Sequence, residues 1–247
     1  MNGPTSRQTW RVAALTMMRP HELSATLQGD DAAEWVAAAA ACGIAQAQVR
    51  LGRMLLEGER VTRDPHAAFA CFLCAVESGD AEGHNMLGRC FENGWGTEPD
   101  FATAAHHYRI AAEAGLDWAQ YNLGHMLLSG NGVARDRQAA FRFYGHAAAQ
   151  GHVRAMNLLG RCYEQGWGVE RSAATARAWY RRSAEGGYFR GAYNYADTIA
   201  AEGCIAGALH WFECALADAP EPSRSVMIAA LLSHQEPPLR ALAERFS

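Results

Sequence analysis

The residues most capable of chemistry in this 247-residue sequence are its seven cysteines and ten histidines. Cys71 and Cys74 form a Cys-x-x-Cys pair, an arrangement that can bind zinc or support thiol exchange. Both lie in a predicted helix, and Cys71 shares its place in a repeated segment with His107 and Phe143, which favours packing. We expect core thiols here. A metal- or redox-responsive scaffold that uses Cys71, Cys74 and the histidines remains an alternative.

Sequence signatures of catalysis are missing. The sequence has no Gly-x-Ser-x-Gly elbow and no phosphate-binding loop with Lys followed by Ser or Thr. The histidines form no His-x-x-x-His pair on a predicted helix, and we expect His106 and His107 to point to different helix faces. We therefore predict that the chain is not an enzyme, needs no cofactor and holds no metal.

Composition and charge exclude several classes of partner. Twenty-two Lys and Arg residues against 26 Asp and Glu residues give a net charge of -4, which argues against a broad basic surface for nucleic acid. No apolar stretch is long enough to cross a membrane. Arg7 and Arg11 precede a short apolar run, residues 12–18, with no cleavage site after it, and the cysteines are odd in number. We expect a cytoplasmic protein with reduced thiols.

Four series of residues recur at a spacing of 36, which indicates a repeat protein. The first series is Gly43, Gly79, Gly115, Gly151 and Gly187, and the second is the Leu-Gly pairs at 51–52, 87–88, 123–124 and 159–160. The third is Gly58, Gly94, Gly130 and Gly166, and the fourth is Phe72, Tyr108, Tyr144 and Tyr180. Because the four series agree, one structural unit repeats along the chain.

Each segment is predicted to fold as two helices. In the first helix, apolar residues recur at spacings of three and four, and a glycine such as Gly130 provides a left-handed stop. The second helix follows an N-capping residue, which is Asp64, Asp100, Asp136 or Ser172 in successive segments. A glycine inside a helix costs about 1 kcal/mol. The repeated Leu-Gly pair therefore predicts a backbone-to-backbone approach between helices.

The pattern resembles the SEL-1-like repeat, a relative of the tetratricopeptide repeat, over residues 31–218. The matching residues are Ala119, Tyr121, Asn122, Leu123, Gly124, Gly130, Gly132, Val133, Asp136, Ala140, Tyr144, Ala147, Ala148 and Gly151, then Gly166, Trp167, Gly168, Val169, Ala176, Trp179, Tyr180 and Gly187. The resemblance implies an all-α fold, a right-handed α-solenoid of antiparallel helix pairs whose first helices line a concave face.

The expected organisation is an irregular segment at residues 1–30, a repeat solenoid at 31–218 and capping helices at 219–247. Within the solenoid we expect a lone helix at 31–42 and then units 43–78, 79–114, 115–150, 151–186 and 187–218. Pro220 and Pro222 end the array, and the caps are predicted at residues 223–233 and 238–246.

Polar and aromatic residues that share one face of the first helices are the candidate binding residues. Residues four apart lie on one helix face, and Arg, Asn and Tyr can grip an extended peptide. We predict that a partner contacts Asn85, Arg89, Trp118, Tyr121, His125, Asn157, Arg161 and Tyr193. Trp95 and Trp167, in Gly-Trp-Gly loops, either contact a partner or fold back over their own helix pair.

The function expected from these features is a bacterial protein-protein interaction adaptor without catalysis. A long repeat array presents an extended surface that is stable without its ligand. The alternative is an enzyme of the β-lactam or cell-wall type, because cysteine-rich relatives of the family are associated with that chemistry. Those relatives carry a cysteine pair in every repeat, and this chain lacks that pairing.

Overall fold

The computed structural model describes residues 31–247 together with Arg11 and Ala14, so the irregular segment predicted at residues 1–30 lies otherwise outside the described residues. Residues 31–247 contain thirteen α-helices and no strand. The helices are α1 (Ala32–Ala41), α2 (Ala45–Glu57), α3 (Pro65–Glu77), α4 (Ala81–Asn93), α5 (Phe101–Glu113), α6 (Asp117–Ser129), α7 (Arg137–Ala149), α8 (Val153–Gln165), α9 (Ala173–Glu185), α10 (Phe189–Ala201), α11 (Ile205–Asp218), α12 (Ser223–Leu232) and α13 (Pro237–Phe246).

The residues predicted to start and stop the helices do so. The side chain of Asp64 accepts a hydrogen bond from the backbone N–H of Ala67, and the caps of α5, α7 and α9 accept equivalent bonds. Gly130 ends α6 in the left-handed conformation, with φ of 85°. Local sequence therefore defines the ends of the repeated helices.

The helices fall into two modules, residues up to Arg135 and residues from Asp136. The core of the N-terminal module includes fully buried Phe72 on α3, which packs with Met86 and Leu87 of α4. In the C-terminal module, Tyr180 is buried on α9, and Phe212 of α11 packs with residues of α12 and α13. Alanines fill most of the remaining core positions, which lets the helices approach closely. The all-α solenoid of helix pairs predicted from the sequence is confirmed.

The Leu-Gly glycines face an aromatic ring, which corrects the predicted backbone-to-backbone approach. A Cβ atom on Gly88 of α4 would lie 2.6 Å from Cδ1 of Tyr108 on α5. Gly52 and Phe72 form the same pair in the preceding repeat, and Gly160 and Tyr180 form it in the C-terminal module. The glycine therefore makes room for the buried ring of the second helix.

A true backbone approach occurs instead in the loops between the helices of a repeat. In the N-terminal module, Gly132 has φ of 68°, and a Cβ atom there would collide with the backbone of Phe101, at the start of α5. Gly96 lies equally close to the backbone of Pro65. These contacts join a loop to the second helix of the preceding repeat and explain why glycine recurs in the loop.

Candidate partner-binding face

The eight predicted contact residues lie on the first helices but differ widely in exposure. Trp118, His125 and Arg161 are exposed. Arg89, Tyr121 and Tyr193 are half-buried, and Asn85 and Asn157 are buried. Five of the eight lie in the N-terminal module, on α4 and α6, and three lie in the C-terminal module, on α8 and α10.

The two asparagines bind neighbouring helices rather than offering exposed amides. Asn85 is 3% exposed, and its Oδ1 accepts a hydrogen bond of 3.1 Å from Nδ2 of Asn122. Asn157 is 5% exposed and accepts a bond of 2.8 Å from Asn194 in the same way. Because buried amides need partners, these pairs link α4 to α6 and α8 to α10. Their burial does not support the expectation that they present surface to a partner.

The loop tryptophans fold back over their own repeats. The guanidinium carbon of Arg89 lies 4.9 Å from the centre of the Trp95 ring, and that of Arg161 lies 5.1 Å from the centre of the Trp167 ring. Such contacts are cation–π interactions. Both rings are half-buried. Of the two arrangements left open by the sequence, the structure adopts the folded-back one, which holds each arginine beside a flat aromatic surface.

The most exposed aromatic group among the predicted residues is on α6. Trp118 is 43% exposed and meets Tyr121 edge to face, with ring centres 6.2 Å apart. His125 follows one turn later on the same helix and is exposed. Tyr193 in the C-terminal module differs, since its ring packs edge to face on Phe212 at 5.1 Å. Burial, followed by the charge of Asp197, raises its pKa.

A cavity of about 180 Å³ lies beside Arg89 in the N-terminal module. Arg63, which was not predicted as a site residue, is part of its lining, and its Nε donates a hydrogen bond of 3.0 Å to the carbonyl oxygen of Leu56 at the end of α2. Arg135 and Arg171 recur at spacings of 72 and 36 and make the same bond. That spacing is the signal by which the sequence indicates a shared role. The lining residues are Arg53, Leu56, Glu57, Arg63, Met86, Arg89 and Trp95.

Two histidines of the N-terminal module form a contact that the sequence did not indicate. Nδ1 of His84 on α4 lies 2.9 Å from Nδ1 of His107 on α5, and the ring of Phe91 stacks on His107 with centres 5.7 Å apart. Burial, and then the nearby charges of His84 and His106, lower the pKa of His107 to about 4. Its neutral form is therefore favoured.

The geometry of the described residues gives little support to a metal site or a reactive thiol site. Over the described part of the chain, no group of three or more His, Cys, Asp and Glu residues is arranged to hold a metal ion. Cys71 and Cys74 lie within α3, and burial, with the charge of Cys74, raises the pKa of Cys71 to about 11. All seven cysteines are unbridged. Cys71 and Cys74 are half-buried rather than fully buried in the core, and the raised pKa of Cys71 lowers the reactivity of that thiol.

Comparison with known proteins identifies the repeat. The model of the Sel1 repeat matches four segments, residues 45–80, 81–116, 119–152 and 153–188, which together make up more than half of the chain. This chain belongs to the Sel1 repeat family. Proteins of this family are generally protein-interaction scaffolds, and their fold is typically non-catalytic. No curated protein matches the sequence at a significant level.

Solved structures agree with the family assignment. A Sel1 repeat protein from Oxalobacter formigenes superposes with a TM-score of 0.74 at 25% identity, covering 83% of this chain and 86% of that one. The protective antigen c5321 of uropathogenic Escherichia coli gives a TM-score of 0.73 at 24% identity, over 98% of this chain and 53% of its own. The immunity protein Pa5087 of Pseudomonas aeruginosa gives 0.55 at 19% identity, over 82% and 77%. These likenesses concern the fold.

Proposed function

We propose that this Sel1 repeat protein is a non-catalytic scaffold that binds an extended segment of a partner protein along its first helices. The observation that carries the proposal is the exposed Trp118, whose ring contacts Tyr121 on the same helix, α6. A hydrogen bond from Asn122 links α6 to α4, the helix that carries Arg89. Exposed tryptophan, tyrosine and arginine are the residue types that dominate protein interfaces. In the C-terminal module, Arg161 on α8 and Tyr193 on α10 occupy the repeat positions that Arg89 and Tyr121 occupy in the N-terminal module.

The buried asparagines have a supporting part in this proposal. Asn85 and Asn157 hold adjacent first helices in register. A surface that is rigid before binding avoids the entropy cost of ordering, which improves affinity. The first helices therefore present Arg89, Tyr121 and His125 in a preformed row, and the family's concave face is the place proposed for the partner.

The net charge and the state of the cysteines support the proposed partner class and location. The net charge of -4 favours a protein partner over nucleic acid. None of the described helices is long and apolar enough to cross a membrane. Free thiols persist in reducing compartments, and seven unbridged cysteines support a cytoplasmic location for this adaptor.

Affinity capture from native lysate tests the proposal. The bait is the full chain, and the test variant carries Arg89→Ala, Tyr121→Ala and Arg161→Ala. The control variant carries Leu73→Ala, Arg109→Ala and Arg142→Ala, three exposed positions on second helices. We expect the test variant to lose a partner that the wild type and the control retain, with equal helix content by circular dichroism.

Two results contradict the proposal. A partner that the test variant holds as well as the wild type places binding away from the first helices. Turnover of a chromogenic β-lactam by the purified protein, abolished by a single substitution, contradicts the non-catalytic assignment.

A further inference from the structure

Three arginines converge on the cavity of about 180 Å³ in the N-terminal module. Arg53 comes from α2, Arg63 from the loop after it and Arg89 from α4. The lining also contains one carboxylate, Glu57, and Arg53 is paired with Glu82, so three arginines face two carboxylates and an excess of positive charge remains. We call this cavity, with its seven lining residues, the arginine pocket.

The contacts that these arginines make leave them able to bind an anion. Arg53 forms an ion pair with Glu82, and Arg63 donates from its Nε to the carbonyl oxygen of Leu56. Arg89 stacks on Trp95 and donates one hydrogen bond of 3.7 Å to the sulfur of Met86. A guanidinium carries five N–H donors in a planar fork that matches a carboxylate. The observed contacts occupy a minority of these donors, and they hold the three groups at the cavity.

The apolar part of the lining selects for a side chain rather than a free ion. Leu56, Met86 and Trp95 line the cavity beside the arginines. A peptide segment with one acidic residue next to a large apolar residue matches both features, because the carboxylate binds the guanidinium groups and the apolar group packs on Trp95 and Met86.

The repeat itself shows that folding does not require three arginines at these positions. In the fourth repeat the equivalent residues are Arg161, Arg171 and Asp197, so a carboxylate replaces the third cation. In the second repeat they are Arg89, Pro99 and His125. All three arginines are present in the first repeat. Arg135 and Arg171 each make a bond to the end of a helix like that of Arg63, so this bond by itself does not distinguish the first repeat.

We propose that the arginine pocket anchors an aspartate or glutamate side chain of the bound partner segment. This inference rests on the proposed function, since Arg89 belongs to the same row. It adds a specificity: the segment carries an acidic residue beside a large apolar one, and its acidic residue binds at the first repeat.

Peptide selection followed by matched substitutions tests the inference. Random peptides displayed on phage are selected on the full chain, and the best peptide is synthesised with each acidic residue in turn replaced by its amide. Fluorescence polarisation then gives the affinities. Hydrogen bonds to charged groups are each worth a factor of about ten or more in a binding constant. We expect one acid-to-amide change to weaken binding about tenfold, and the weakening to shrink in 0.5 M salt.

Matched variants separate the pocket from the fold. Arg63→Ala removes a pocket cation and a helix-ending bond, whereas Arg171→Ala removes the same kind of bond in the C-terminal module. We expect Arg63→Ala to weaken the acidic peptide about tenfold and the amide peptide little, while Arg171→Ala changes neither. Arg53→Ala, at an exposed position, gives a second pocket variant that keeps that bond. Thermal unfolding verifies that each variant is folded.

The contrary outcomes distinguish a failure of the arginine pocket from a failure of the proposed function. Equal binding of the acidic and amide peptides to the wild type overturns the arginine pocket and leaves the scaffold proposal intact. If Arg63→Ala and Arg171→Ala lower the affinity for the acidic peptide equally, the arginine pocket is again overturned and the scaffold proposal is unaffected. If a phosphoserine peptide binds much more tightly than the glutamate peptide, the ligand of the pocket is a phosphate group, and the proposed carboxylate ligand is wrong. Failure to select any peptide contradicts the proposed function itself.

Discussion

The hydroxyl group of Tyr108 donates a hydrogen bond of 2.6 Å to Oε2 of Glu92, across the two helices of the second repeat. Tyr180 and Glu164 form the same bond at 3.1 Å in the C-terminal module. The first repeat has Phe72 and Leu56 at these positions, so the hydroxyl and the carboxylate are lost together. Burial, and then the charge and hydrogen bond of Glu92, raise the pKa of Tyr108. The phenol therefore serves as a donor.

This pairing predicts a strongly non-additive double substitution. Glu92→Leu leaves the hydroxyl of Tyr108 without its acceptor and is expected to lower the free energy of unfolding by about 1 to 2 kcal/mol. Glu92→Leu combined with Tyr108→Phe recreates the pair of the first repeat and is expected to recover most of that loss. Urea unfolding of the wild type, both single variants and the double variant measures the coupling. Additive losses would show that the bond contributes nothing.

Two helical glycines are predicted to respond oppositely to alanine. A Cβ on Gly88 collides with the fully buried ring of Tyr108, so Gly88→Ala is expected to destabilise the protein by about 1 to 3 kcal/mol. Gly145 lies within α7 and a Cβ there meets no atom within 4 Å. Gly145→Ala is expected to stabilise it by about 0.5 to 1 kcal/mol. Urea unfolding measures both, and a stable Gly88→Ala variant would contradict the ring contact.

The histidine contact predicts a pH dependence of folding stability. The pKa of His107 is about 4 in the folded protein, against an ordinary value of 6.5. Below pH 6.5 the unfolded chain binds a proton that the folded chain does not, so stability falls as the pH drops towards 4. Partial exposure of the ring limits the loss to about 1 to 2 kcal/mol.

The variant His107→Phe isolates this effect, because phenylalanine occupies the equivalent position 143 and keeps an aromatic ring beside Phe91. Unfolding free energies of the wild type and the variant are compared from pH 7 to pH 4. We expect the variant to gain stability relative to the wild type as the pH falls. Parallel curves would mean that His107 titrates normally. His106→Gln, at an exposed neighbouring position, removes only the smaller contribution of the His106 charge to the lowered pKa of His107 and is expected to have a smaller effect.

The cysteines are predicted to react with a thiol reagent in an order set by burial. Cys90 and Cys162 are fully buried, and burial raises the pKa of each thiol to about 12. Cys204 is exposed. At pH 8 we expect Cys204 to react with iodoacetamide at least about a hundredfold faster than the buried pair. Peptide mass spectrometry after timed quenching gives the rates, and comparable rates in the native protein would contradict the buried core. Unfolding in urea should make all sites react.

Much of the fold was accessible from the sequence because its information is local and repeated. The 36-residue spacing, the caps at Asp64 and Ser172 and the stop at Gly130 each act within a few residues of their own helix. The aromatic series that the same spacing reveals is fully buried at Phe72 and Tyr180. The candidate binding residues could be predicted only in part, because the exposure of each side chain depends on how the neighbouring helix packs against it.

The sequence by itself determined the repeat, the helix ends and the absence of catalytic signatures, since backbone capping and apolar periodicity depend on near neighbours. The tertiary structure decided which polar residues remain available. It buried Asn85 against Asn122, stacked Arg89 on Trp95, placed a ring rather than backbone over Gly88 and brought Arg63 to the cavity of Arg53 and Arg89. These relationships depend on how one helix or loop packs against the next, and the residues next to each position in the sequence carry no signal of that packing.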